Sequence, residues 1–593
     1  MLGREEDFLF FDTEVFKHNS MVVFKDIEGK TVRVFSSSLD GLGDLFDQGL
    51  IKEEGYQNLE DYITGKTLVG YNNYGYDDYI LWAMCKGSDH ELIKQWNDSI
   101  INKGSTVNMK KIQCCKTLDA MQQIDVSRPS LKKIEGNMGV SIVESKVDFD
   151  IDRKLTPQEN YETFKYCEYD VEQLVRIYKL RGEYFESKKA IVKMLPEDYH
   201  DKAYKWNTTS IIGQLLKHDK RMPGRRLVDD SLLKVVPNDV KNMWLELDTT
   251  QDYKFKQKKV VIQEYGNTIE FGWGGLHGAP EGVFEARDVR LLDVASMYPN
   301  ILINFNGLGE KTKDYKEILD YRLQLKHEGK KKEQAPYKLI LNSTYGLLNS
   351  EYSAINQPNL AYSICMFGQT ALYALVGFLD MAGCKVFNIN TDGVAFIPDK
   401  KGAYKEYIKP WEEYYRLTLE EDRFDYWIQT DVNNYIAVTP DGKIKTKGGD
   451  VNNYIDFESG GRNYYFNNAN TRIIQKAIVE KIVNGKTPSD TIWENRKRPE
   501  LFQYVLTAGS TYKGTYDSNG ERLQNVNRVF AGKDTDYEIF KKRQDGGLVK
   551  FADAPSHMFI HNGDLSDLEN FENLVDLNWY NDLAQKKLKR WGR

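Results

Sequence analysis

Two carboxylates, Asp12 and Glu14, are separated by one residue and follow the apolar run at residues 8–11. Such a run is typical of a buried central strand that ends at a functional edge. Side chains alternate along an extended chain, so both carboxylates lie on the same side of the strand. The pair could bind or bridge divalent metal ions. Alone the pattern is weak, because acid-x-acid triplets arise often by chance in a chain with 88 acidic residues.

Two later features strengthen this pattern. Asp77 comes shortly after a β-rich segment at residues 68–71, and Tyr166 and Asp170 are four residues apart on one face of a helix predicted over 158–183. Four acids and a tyrosine could form a two-metal phosphodiesterase site. In such a site the metals stabilise the attacking and leaving oxygens, and the phenol orients the water.

A second pair of acids lies further along the chain. Asp293 ends the apolar, strand-like segment 289–293, and Asp392 lies in a tight turn within 384–397, which reads as strand, turn and strand. If these strands are neighbours, the two carboxylates converge and can hold two Mg²⁺ ions. Phosphoryl transfer uses this arrangement to activate a 3′-hydroxyl and release pyrophosphate.

Cations and an aromatic residue between these acids have the spacing of a triphosphate site. Lys338, Asn342 and Tyr345 share one helical face, at i, i+4 and i+7. A face with a cation, an amide and an aromatic ring can bind a triphosphate and stack against a base. Arg322 and Lys326, at i and i+4, supply further cations on a preceding helix.

The elements that must position these residues indicate a mixed fold. Up to about residue 195, strand-like and helix-like stretches alternate, as in an α/β layer. The polar segment 89–113 is predicted to be a loop. Apolar spacing predicts helices in the charged stretch 310–338 and, from about residue 455 onward, in segments such as 472–484.

The 593 residues carry a formal charge of −7, from 81 basic and 88 acidic residues. This balance excludes a histone-like polycation, but not a nucleic-acid enzyme, because only the charge beside the phosphates matters. None of the six cysteines forms a CxxC pair, and we see no apolar run near the ~18 residues of a membrane span. We therefore expect reduced thiols and a cytoplasmic protein, in the host cytoplasm if a phage encodes it.

In order along the chain, the motifs DxE, NxxYD and YxxxD resemble the three exonuclease motifs of proofreading 3′→5′ exonucleases with a ribonuclease-H-like fold. The resemblance implies that Tyr166 orients the nucleophilic water and that Asn73 and Tyr76 contact the single-stranded end. Lys132 or Lys133 could hold a phosphate, and Lys133 is assigned as the DNA contact. The implied metal ligands are Asp12, Glu14, Asp77 and Asp170.

The second acid site resembles that of family B DNA polymerases, including the compact bacteriophage members. Residues 293–299 match the first palm motif, usually DxxSLYP, and residues 338–346 match the fingers motif. The Gly-rich segment 271–275 is similar to the loop between exonuclease and palm, where DNA passes between the sites. Residues 433–435 and 445–449 resemble the KxY and lysine region that contacts primer-terminal phosphates.

This resemblance implies a role for each matching residue. Asp293, Val294 and Asp392 would bind Mg²⁺ or Mn²⁺, two ions per active site, and Tyr298 would be the steric gate that excludes a 2′-hydroxyl. The implied triphosphate clamp is Arg322, Lys326 and Lys338, the base-pair contacts are Asn342 and Tyr345, and the DNA contacts are Gly274, Gly275, Tyr435, Lys445 and Lys447.

The sequence departs from the family pattern in two motifs. The third palm motif is normally DTDS, whereas this chain has Asn390-Thr-Asp392-Gly393. The second acid of that motif is the essential ligand, and it is kept as Asp392. The lysine of KxY is replaced by Asn433. These changes do not exclude polymerase activity, but they could alter metal affinity or fidelity.

Motif spacing bears on how synthesis starts. The intervals from Asp293 to Lys338 and from Gly346 to Asp392 are 45 and 46 residues, too short for the insertions of protein-primed phage relatives. We therefore predict a compact enzyme that extends a nucleic-acid 3′-hydroxyl. Its expected partners are primer-template DNA, single-stranded DNA, dNTPs and replisome proteins such as a helicase or single-strand binding protein. We expect a monomer without a membrane partner.

The predicted fold class is α/β and α+β multidomain, with a ribonuclease-H-like 3′→5′ exonuclease domain followed by a right-hand polymerase. The predicted boundaries are exonuclease 1–195, first palm part 196–308, fingers 309–351, second palm part 352–453 and thumb 454–593. The main hypothesis is a DNA-directed DNA polymerase with proofreading, for phage or mobile-element replication. The alternatives are a 3′→5′ exonuclease with a degenerate, DNA-binding polymerase domain, and a non-catalytic accessory protein, which would not explain two intact acid sites.

Overall fold

A computed structural model describes residues 4–219, 227–229, 232–246, 257–452, 460–461, 463–468 and 470–593. Over these ranges the chain is a mixed α/β, multidomain protein. Its helices are α1 (Gly43–Asp47), α2 (Leu59–Ile63), α3 (Asp77–Cys85), α4 (His90–Lys103), α5 (Leu131–Met138), α6 (Pro157–Leu180), α7 (Gly182–Val192), α8 (Glu197–Ala203), α9 (Thr208–Leu215), α10 (Asn238–Glu246), α11 (Met297–Asn304), α12 (Lys311–His327), α13 (Lys331–Leu348), α14 (Pro358–Met381), α15 (Lys405–Tyr415), α16 (Arg472–Asn484), α17 (Pro488–Glu494), α18 (Pro499–Phe502), α19 (Phe571–Leu574) and α20 (Leu577–Leu588).

The strands complete two compact units. They are β1 (Leu9–Val15), β2 (Ser20–Lys25), β3 (Thr31–Ser36), β4 (Thr67–Gly70), β5 (Lys116–Asp119), β6 (Val260–Glu264), β7 (Asn267–Gly272), β8 (Gly275–Ala279), β9 (Phe284–Val294), β10 (Lys385–Asn390), β11 (Gly393–Ile397), β12 (Leu419–Asp431), β13 (Asn434–Val438), β14 (Ile444–Lys447), β15 (Tyr504–Thr507), β16 (Gly514–Asp517), β17 (Val526–Ala531), β18 (Ile539–Lys542), β19 (Leu548–Lys550) and β20 (Met558–Ile560).

The first unit combines Met1–Asn207 with two later pieces, Arg462–Thr471 and Arg496–Asp576. Its five-stranded sheet has the order β3-β2-β1-β4-β5, in which β1 pairs antiparallel with β2 and parallel with β4. Two three-stranded sheets, β15-β17-β20 and β16-β18-β19, belong to the same unit. The central β1 is buried along nearly its whole length, so the backbone that carries Asp12 and Glu14 is packed on both sides.

Helix α6 packs against β1 and β2 and brings Tyr166 and Asp170 to the first sheet. It begins with a capping box, in which the Glu159 amide donates to Thr156 Oγ1 and the Thr156 amide donates to a Glu159 carboxylate oxygen. Pro157 occupies the first helical position, where its missing N–H costs nothing. The start of α6 is therefore fixed by its own sequence, which sets the phase of its buried face.

The second unit combines Thr208–Gly461 with Arg472–Asn495 and Leu577–Arg593. Its nine-stranded sheet has the order β14-β13-β12-β9-β11-β10-β8-β7-β6. The long strands β9 and β12 pair over ten residues, and β9 also pairs with β11. The apolar helix α14 packs against β8, β10 and β11 and is largely buried. The middle of this sheet carries the second pair of acids.

Several element predictions are confirmed. A buried strand includes residues 9–11, α6 covers most of 158–183, α12 lies in the charged stretch and α13 begins there, β10 and β11 flank the turn at Asp392, and α16 covers 472–484. The expected end of the first strand at Asp12 was wrong, because β1 continues through both acids to Val15. The loop prediction for 89–113 was wrong, because α4 lies within it. Helices do occur after residue 455, but six strands, β15–β20, lie between 504 and 560 and were not predicted. The five domain boundaries stay predictions, and the chain from 454 onward contributes to both units.

One described helix, α14, is long and apolar enough to cross a membrane by length and composition, although most of its apolar window is buried inside the protein. The expectation that no apolar run approaches the length of a membrane span was therefore wrong. Its buried residues include Ile364, Leu372 and Leu375. In this structure α14 is a core helix of the second unit.

Candidate active sites

The first acid site is built on β1. Side-chain ligand atoms of Asp12, Glu14 and Cys167 lie within 4.8 Å of one another. Glu14 is buried, and Cys167, on α6, is fully buried. The Cys167 thiol donates to the Asp12 carbonyl oxygen at 3.5 Å. Sequence reasoning did not include Cys167, although it lies between Tyr166 and Asp170 on the same helix.

Asp77 joins this site from the first residue of α3. The Thr13 hydroxyl, between the two β1 acids, donates to Asp77 Oδ1 at 2.6 Å. Burial raises the pKa of Asp77 to about 7, although the bond from Thr13 opposes this effect. Thr13 was not predicted as a functional residue. It ties the β1 acids to the start of α3.

Asp170 and Tyr166 join the site from α6 together with a cation. Lys132 Nζ forms an ion pair with Asp170 and a second one with Glu135 at 3.3 Å. The same amine lies 4.7 Å from the centre of the Tyr166 ring. The Tyr166 phenol is hydrogen-bonded to Asp170, and burial, followed by the nearby acids, raises its pKa far above the usual range. Tyr166 is therefore a neutral hydroxyl held against a carboxylate.

Burial and mutual repulsion raise the pKa values of these carboxyl groups. Burial is the larger cause for Asp12 and Glu14, and the charges of the neighbouring acids add to it. Clustered carboxylate oxygens are the ligands that Mg²⁺ and Mn²⁺ prefer, and a cation would relieve this repulsion. Burial and the same acids also raise the pKa of Cys167, so its thiol stays protonated. The donor set fits a hard divalent cation bound by carboxylates, not by the thiol.

The two adjacent lysines of α5 have different partners. Lys132 lies within the acid cluster, whereas Lys133 Nζ donates to the carbonyl oxygen of Val505 on β15. Burial lowers the pKa of Lys133 to about 8. The structure thus brings Lys132, and not Lys133, to the predicted acids. The assignment of Lys133 as a DNA contact stays a prediction that its geometry does not favour.

Asn73 and Tyr76 lie in the loop before α3. Asn73 is fully buried and its amide donates to Asp78 Oδ1 at 2.8 Å, while the Tyr76 hydroxyl donates to Asn97 Oδ1 at 2.6 Å. Thr117 on β5 donates to the other Asp78 oxygen at 3.0 Å. Through these hydrogen bonds, Asn73 and Tyr76 stabilise the loop that leads into Asp77. Their predicted contacts with a DNA end stay predictions.

The second acid site lies in the middle of the nine-stranded sheet, where the end of β9 pairs with the start of β11. Asp293 pairs in register with Gly393, and the Val294 amide donates to the carbonyl of Asp392 at 2.8 Å. Burial and then the Asp392 charge raise the pKa of Asp293 to about 6. Burial also raises the pKa of Asp392, and the Lys447 charge partly offsets this. Two carboxylates from separate motifs therefore converge, and their oxygens fit a hard divalent cation.

A cavity of about 440 Å³ opens beside these acids. Its lining combines both carboxylates with most of the predicted nucleotide contacts, namely Asp293, Val294, Tyr298, Arg322, Lys326, Asn342, Tyr345 and Asp392. Among the described residues, those lining the cavity do not include Lys338, which is exposed on α13. The predicted clamp is thus brought together at Arg322 and Lys326 but not at Lys338.

Two aromatic rings and two cations shape the cavity wall. The rings of Tyr298 and Tyr345 lie 4.5 Å apart, centre to centre. Arg322 Nη1 donates to Ser296 Oγ at 3.1 Å, and Lys326 forms an ion pair with Glu420 at 3.0 Å. Ser296 and Glu420 line the cavity as well. The cations are therefore held at the wall by partners that an incoming polyanion could replace.

The departures from the polymerase motifs have a geometric reason. Asn390 Nδ2 donates to Val432 O at 3.0 Å and to Asn433 Oδ1 at 3.2 Å. The two asparagines that differ from the family motifs are therefore in contact with each other. At Gly393 an added Cβ would lie 2.2 Å from Asp293 Oδ1. A neutral amide contact and an open position thus lie beside the second acid pair. The Asp293 carboxylate occupies the room that a side chain at 393 would take.

The Gly-rich segment belongs to the sheet and supports the acid turn. Strand β8 begins at Gly275 and pairs with β10, and the Thr391 amide donates to Leu276 O at 2.9 Å. Gly275 has φ +128°, and a Cβ there would lie 3.1 Å from Thr391 Cα. A Cβ at Gly274 would meet no described atom within 4 Å. The positive φ and the close Thr391 backbone explain why residue 275 is a glycine. DNA contact by either glycine stays a prediction.

Tyr435, Lys445 and Lys447 lie on the hairpin of β13 and β14. Tyr435 pairs in register with Lys447, and its ring stacks on Trp427 at 4.4 Å. Lys445 forms an ion pair with Asp422 at 2.8 Å. The Asp293 charge contributes to a raised Tyr435 pKa, after burial. The hairpin is thus electrostatically linked to the second acid site through Tyr435 and Lys447, and its DNA contacts stay predictions.

Comparisons with known proteins give partial similarity. No family model matches the chain. A segment is 26% identical over 215 residues to DNA polymerase 1 of Sulfurisphaera ohwakuensis, covering 28% of this chain and 24% of that protein. DNA polymerase 1 of Sulfolobus acidocaldarius is 24% identical over 216 residues, with the same coverage. The similar segment thus spans about a quarter of the length of these curated relatives.

A solved structure extends over more of the chain. The match to the solved structure of the family B DNA polymerase from Pyrobaculum calidifontis covers 98% of this chain and 77% of that chain. The sequence identity is 15% and the TM-score is 0.40. The sequence comparisons alone show that the chain is similar to DNA polymerases over part of its length.

Proposed function

We propose that the chain is a template-directed DNA polymerase of family B that also carries a 3′→5′ proofreading exonuclease. The observation that carries this proposal is the register pairing of Asp293 with Gly393, which brings Asp293 and Asp392 together at a cavity of about 440 Å³. That cavity is also lined by cations and aromatic rings in the order of the polymerase motifs. The partial similarity to DNA polymerases supports the same reaction class.

In polymerisation, the residues of the cavity bind and orient the incoming dNTP. Arg322 and Lys326 neutralise the triphosphate, for which Lys326 leaves Glu420. Tyr298, packed against Tyr345, lies where it can exclude a 2′-hydroxyl. Mg²⁺ or Mn²⁺ held by Asp293 and Asp392 would favour the attacking form of the primer 3′-hydroxyl and neutralise charge on the leaving pyrophosphate.

In exonuclease action, the first acid site supplies a second set of carboxylates. Asp12, Glu14, Asp77 and Asp170 would hold divalent metal beside the scissile phosphate. Tyr166, neutral and hydrogen-bonded to Asp170, orients the attacking water. Lys132 balances the carboxylate charge and lies close enough to Tyr166 to contact the same phosphate. Asp12 and Glu14 lie on β1, the central strand of the sheet β3-β2-β1-β4-β5, while Asp77 and Asp170 reach the site from α3 and α6.

We propose further that the enzyme extends a nucleic-acid primer and is of the compact phage type. The intervals of 45 and 46 residues between the polymerase motifs support this, because protein-primed relatives carry insertions there. Its substrates are then primer-template DNA, single-stranded DNA and dNTPs. A monomer acting in a cytoplasm with helicase or single-strand binding protein completes the proposal.

A second candidate is an exonuclease whose polymerase half only binds DNA. The contact between Asn390 and Asn433 favours it, because both residues replace charged members of polymerase motifs. Asp293 and Asp392 are nevertheless kept together at the cavity, which the degenerate reading leaves unexplained.

Single substitutions in each acid site separate these functions. With Mg²⁺ and dNTPs, Asp392→Ala should abolish primer extension and leave degradation of single strands, while Asp12→Ala should do the reverse. Asp441→Asn, an exposed turn acid, is the matched control and should keep both activities. Wild-type protein that degrades but never extends would select the second candidate. If both site variants keep both activities, the site assignments are wrong.

A further inference from the structure

A row of aromatic and basic side chains crosses one face of the sheet β16-β18-β19. Tyr516 pairs in register with Phe540, and Phe540 pairs with Lys550. Arg522 forms a bridge with Tyr516 on the other side. Directly paired residues of antiparallel strands have their side chains on the same face. The four side chains therefore form a continuous row, Arg522–Tyr516–Phe540–Lys550, which we call the aromatic row.

The next position along the sheet adds a third cation to this face. Gly514 pairs with Lys542, and Lys542 pairs with Leu548. The Lys542 side chain reaches across to the neighbouring strand, where its Nζ lies 4.4 Å from the centre of the Tyr516 ring. Lys542 thus holds a positive charge directly over one ring of the aromatic row.

The face with the aromatic row is the one that solvent reaches. Tyr516 and Phe540 are half-buried, and Leu548 is 47% exposed. The alternate residues point to the opposite face, where Thr515 and Ile539 are buried. The sheet is therefore anchored to the first unit by one face and presents rings and cations on the other.

We propose that this face binds single-stranded DNA, with bases stacked on Tyr516 and Phe540 and phosphates held by Arg522 and by Lys542, which leaves the Tyr516 ring to reach the phosphate. Rings that solvent reaches on one face of a sheet can bind unpaired bases because every base has a flat apolar surface, whereas the bases of a duplex are already stacked on their neighbours. Cations on both sides of the rings match the charge of a polynucleotide backbone. Lys550 contributes less, since it forms an ion pair with Glu538 at 2.8 Å.

This inference rests on the proposed function only in that the substrate is DNA. The sheet belongs to the same unit as the first acid site. A strand held on the aromatic row would remain attached to the unit that degrades its 3′ end. The proposal concerns binding alone, so it can be tested without catalysis.

The first experiment measures binding of a fluorescent oligothymidine to the full chain in EDTA by anisotropy. Tyr516→Ala and Phe540→Ala should each weaken binding roughly 5- to 150-fold, the loss of one stacked base. Tyr516→Phe should bind like the wild type, because it keeps the ring. Tyr352→Ala removes a 92% exposed tyrosine from the second unit and should change nothing. Equal binding by all four variants would overturn the proposal.

The salt dependence of binding separates stacking from charge. Lys542→Gln should reduce the slope of log K against log salt by about 0.7, the contribution of one phosphate contact on a single strand. Lys52→Gln, an exposed lysine of the same unit, is the matched control and should leave the slope unchanged. Tyr516→Ala should lower the affinity with a smaller change of slope. An unchanged slope in Lys542→Gln would contradict the assignment of this cation.

Location is tested by photocrosslinking with oligonucleotides that contain 5-iodouracil. Peptide mass spectrometry should find the crosslink at Tyr516 or Phe540, and a blunt duplex of the same sequence should compete poorly. Crosslinks confined to other peptides, or a duplex that competes equally well, would reject a single-strand site here. Primer extension and exonuclease assays on the same variants report the proposed function separately. That function can fail while binding at the aromatic row persists.

Discussion

Lys132 and Lys133 are neighbours in sequence, yet their amines meet different surroundings. Lys132 is paired with Asp170 in the acid cluster, and Lys133 donates to a backbone carbonyl of β15. Successive side chains of a helix point in directions about 100° apart, so only one of the two lysines can face the acids. The sequence SLKKI alone does not say which one. The buried face of α5 decides it.

Substitution of each lysine tests this difference. Lys132→Met should reduce degradation of a single-stranded oligonucleotide at least tenfold, because it removes the cation that is paired with Asp170 among the carboxylates of this site. Lys133→Met should keep near-wild-type degradation rates, with an effect confined to stability. The measurement is the initial rate on a 5′-labelled oligonucleotide at saturating Mg²⁺. A larger loss of degradation rate in Lys133→Met than in Lys132→Met would show that the assignment of Lys132 to the acid site is wrong.

Tyr298 lies at the cavity wall, where its ring is fixed against Tyr345. Tyr298→Ala should increase incorporation of ribonucleotides, by at least tenfold relative to deoxynucleotides, because the removed ring leaves space for a 2′-hydroxyl. Tyr298→Phe keeps the ring and should discriminate like the wild type. Single-nucleotide insertion kinetics with matched dNTP and rNTP measure this ratio. Unchanged discrimination in Tyr298→Ala would exclude it as the gate.

The acids could be predicted from sequence, whereas their helpers could not. Asp12, Glu14, Asp293 and Asp392 come after apolar runs of sequence, and that pattern is visible without a structure. Thr13 enters the site through a bond to Asp77, which is 64 residues away, and no local pattern contains that contact. Cys167 had a weak signal, because it is three residues from Asp170 on one helical face.

At the scale of elements, strand β8 supports the turn that holds Asp392. Gly275 permits this contact because its φ is positive and its Cα faces the Thr391 backbone. Gly275→Ala should destabilise the protein by about 1 kcal/mol or more and reduce primer extension, because the turn must shift. Gly274→Ala is the matched control and should be near neutral. Thermal unfolding and extension rates of both variants provide the comparison, and equal effects would contradict this role of β8.

The predicted elements failed where composition concealed a periodic signal. Helix α4 is polar and buries mainly Ile93, so its segment resembles a loop in composition. Its ends were nevertheless readable, since Asp89 caps the first turn and Gly104 ends it with positive φ. Strands β15–β20 are three to six residues long, too short for alternation to stand out from the turns between them.

At the scale of the molecule, each unit is assembled from three separate pieces of chain. Arg528 joins two pieces of the first unit and is fully buried. Its guanidinium donates to Val140 O and Gly563 O, both at 2.6 Å, and to Gly136 O at 3.2 Å. Contacts of this kind connect residues almost four hundred positions apart, which local patterns do not encode.

Removal of this guanidinium should weaken the first unit as a whole. Arg528→Ala removes a fully buried side chain together with its bonds to Val140 O, Gly563 O and Gly136 O, and we expect the free energy of unfolding to fall by about 3 kcal/mol or more. Exonuclease activity should then fail at a lower temperature than in the wild type. Arg176→Ala, an exposed arginine of the same unit, should change stability by about 0.5 kcal/mol at most. Chemical denaturation followed by residual nuclease assays measures both, and equal stability of the two variants would contradict the prediction.

The reach of Arg528 also bears on how the protein is made. Val140 and Arg528 are 388 residues apart in the chain. At roughly 5–20 residues per second, a ribosome adds Arg528 about 20–80 s after Val140. During that interval the nascent first unit lacks the bonds from Arg528 to Gly136 O and Val140 O, and it lacks strands β15–β20 until they are synthesised. The first unit is therefore completed only after most of the chain has been translated, so a chain released before Arg528 would lack the bonds that this side chain donates to Gly136 O and Val140 O.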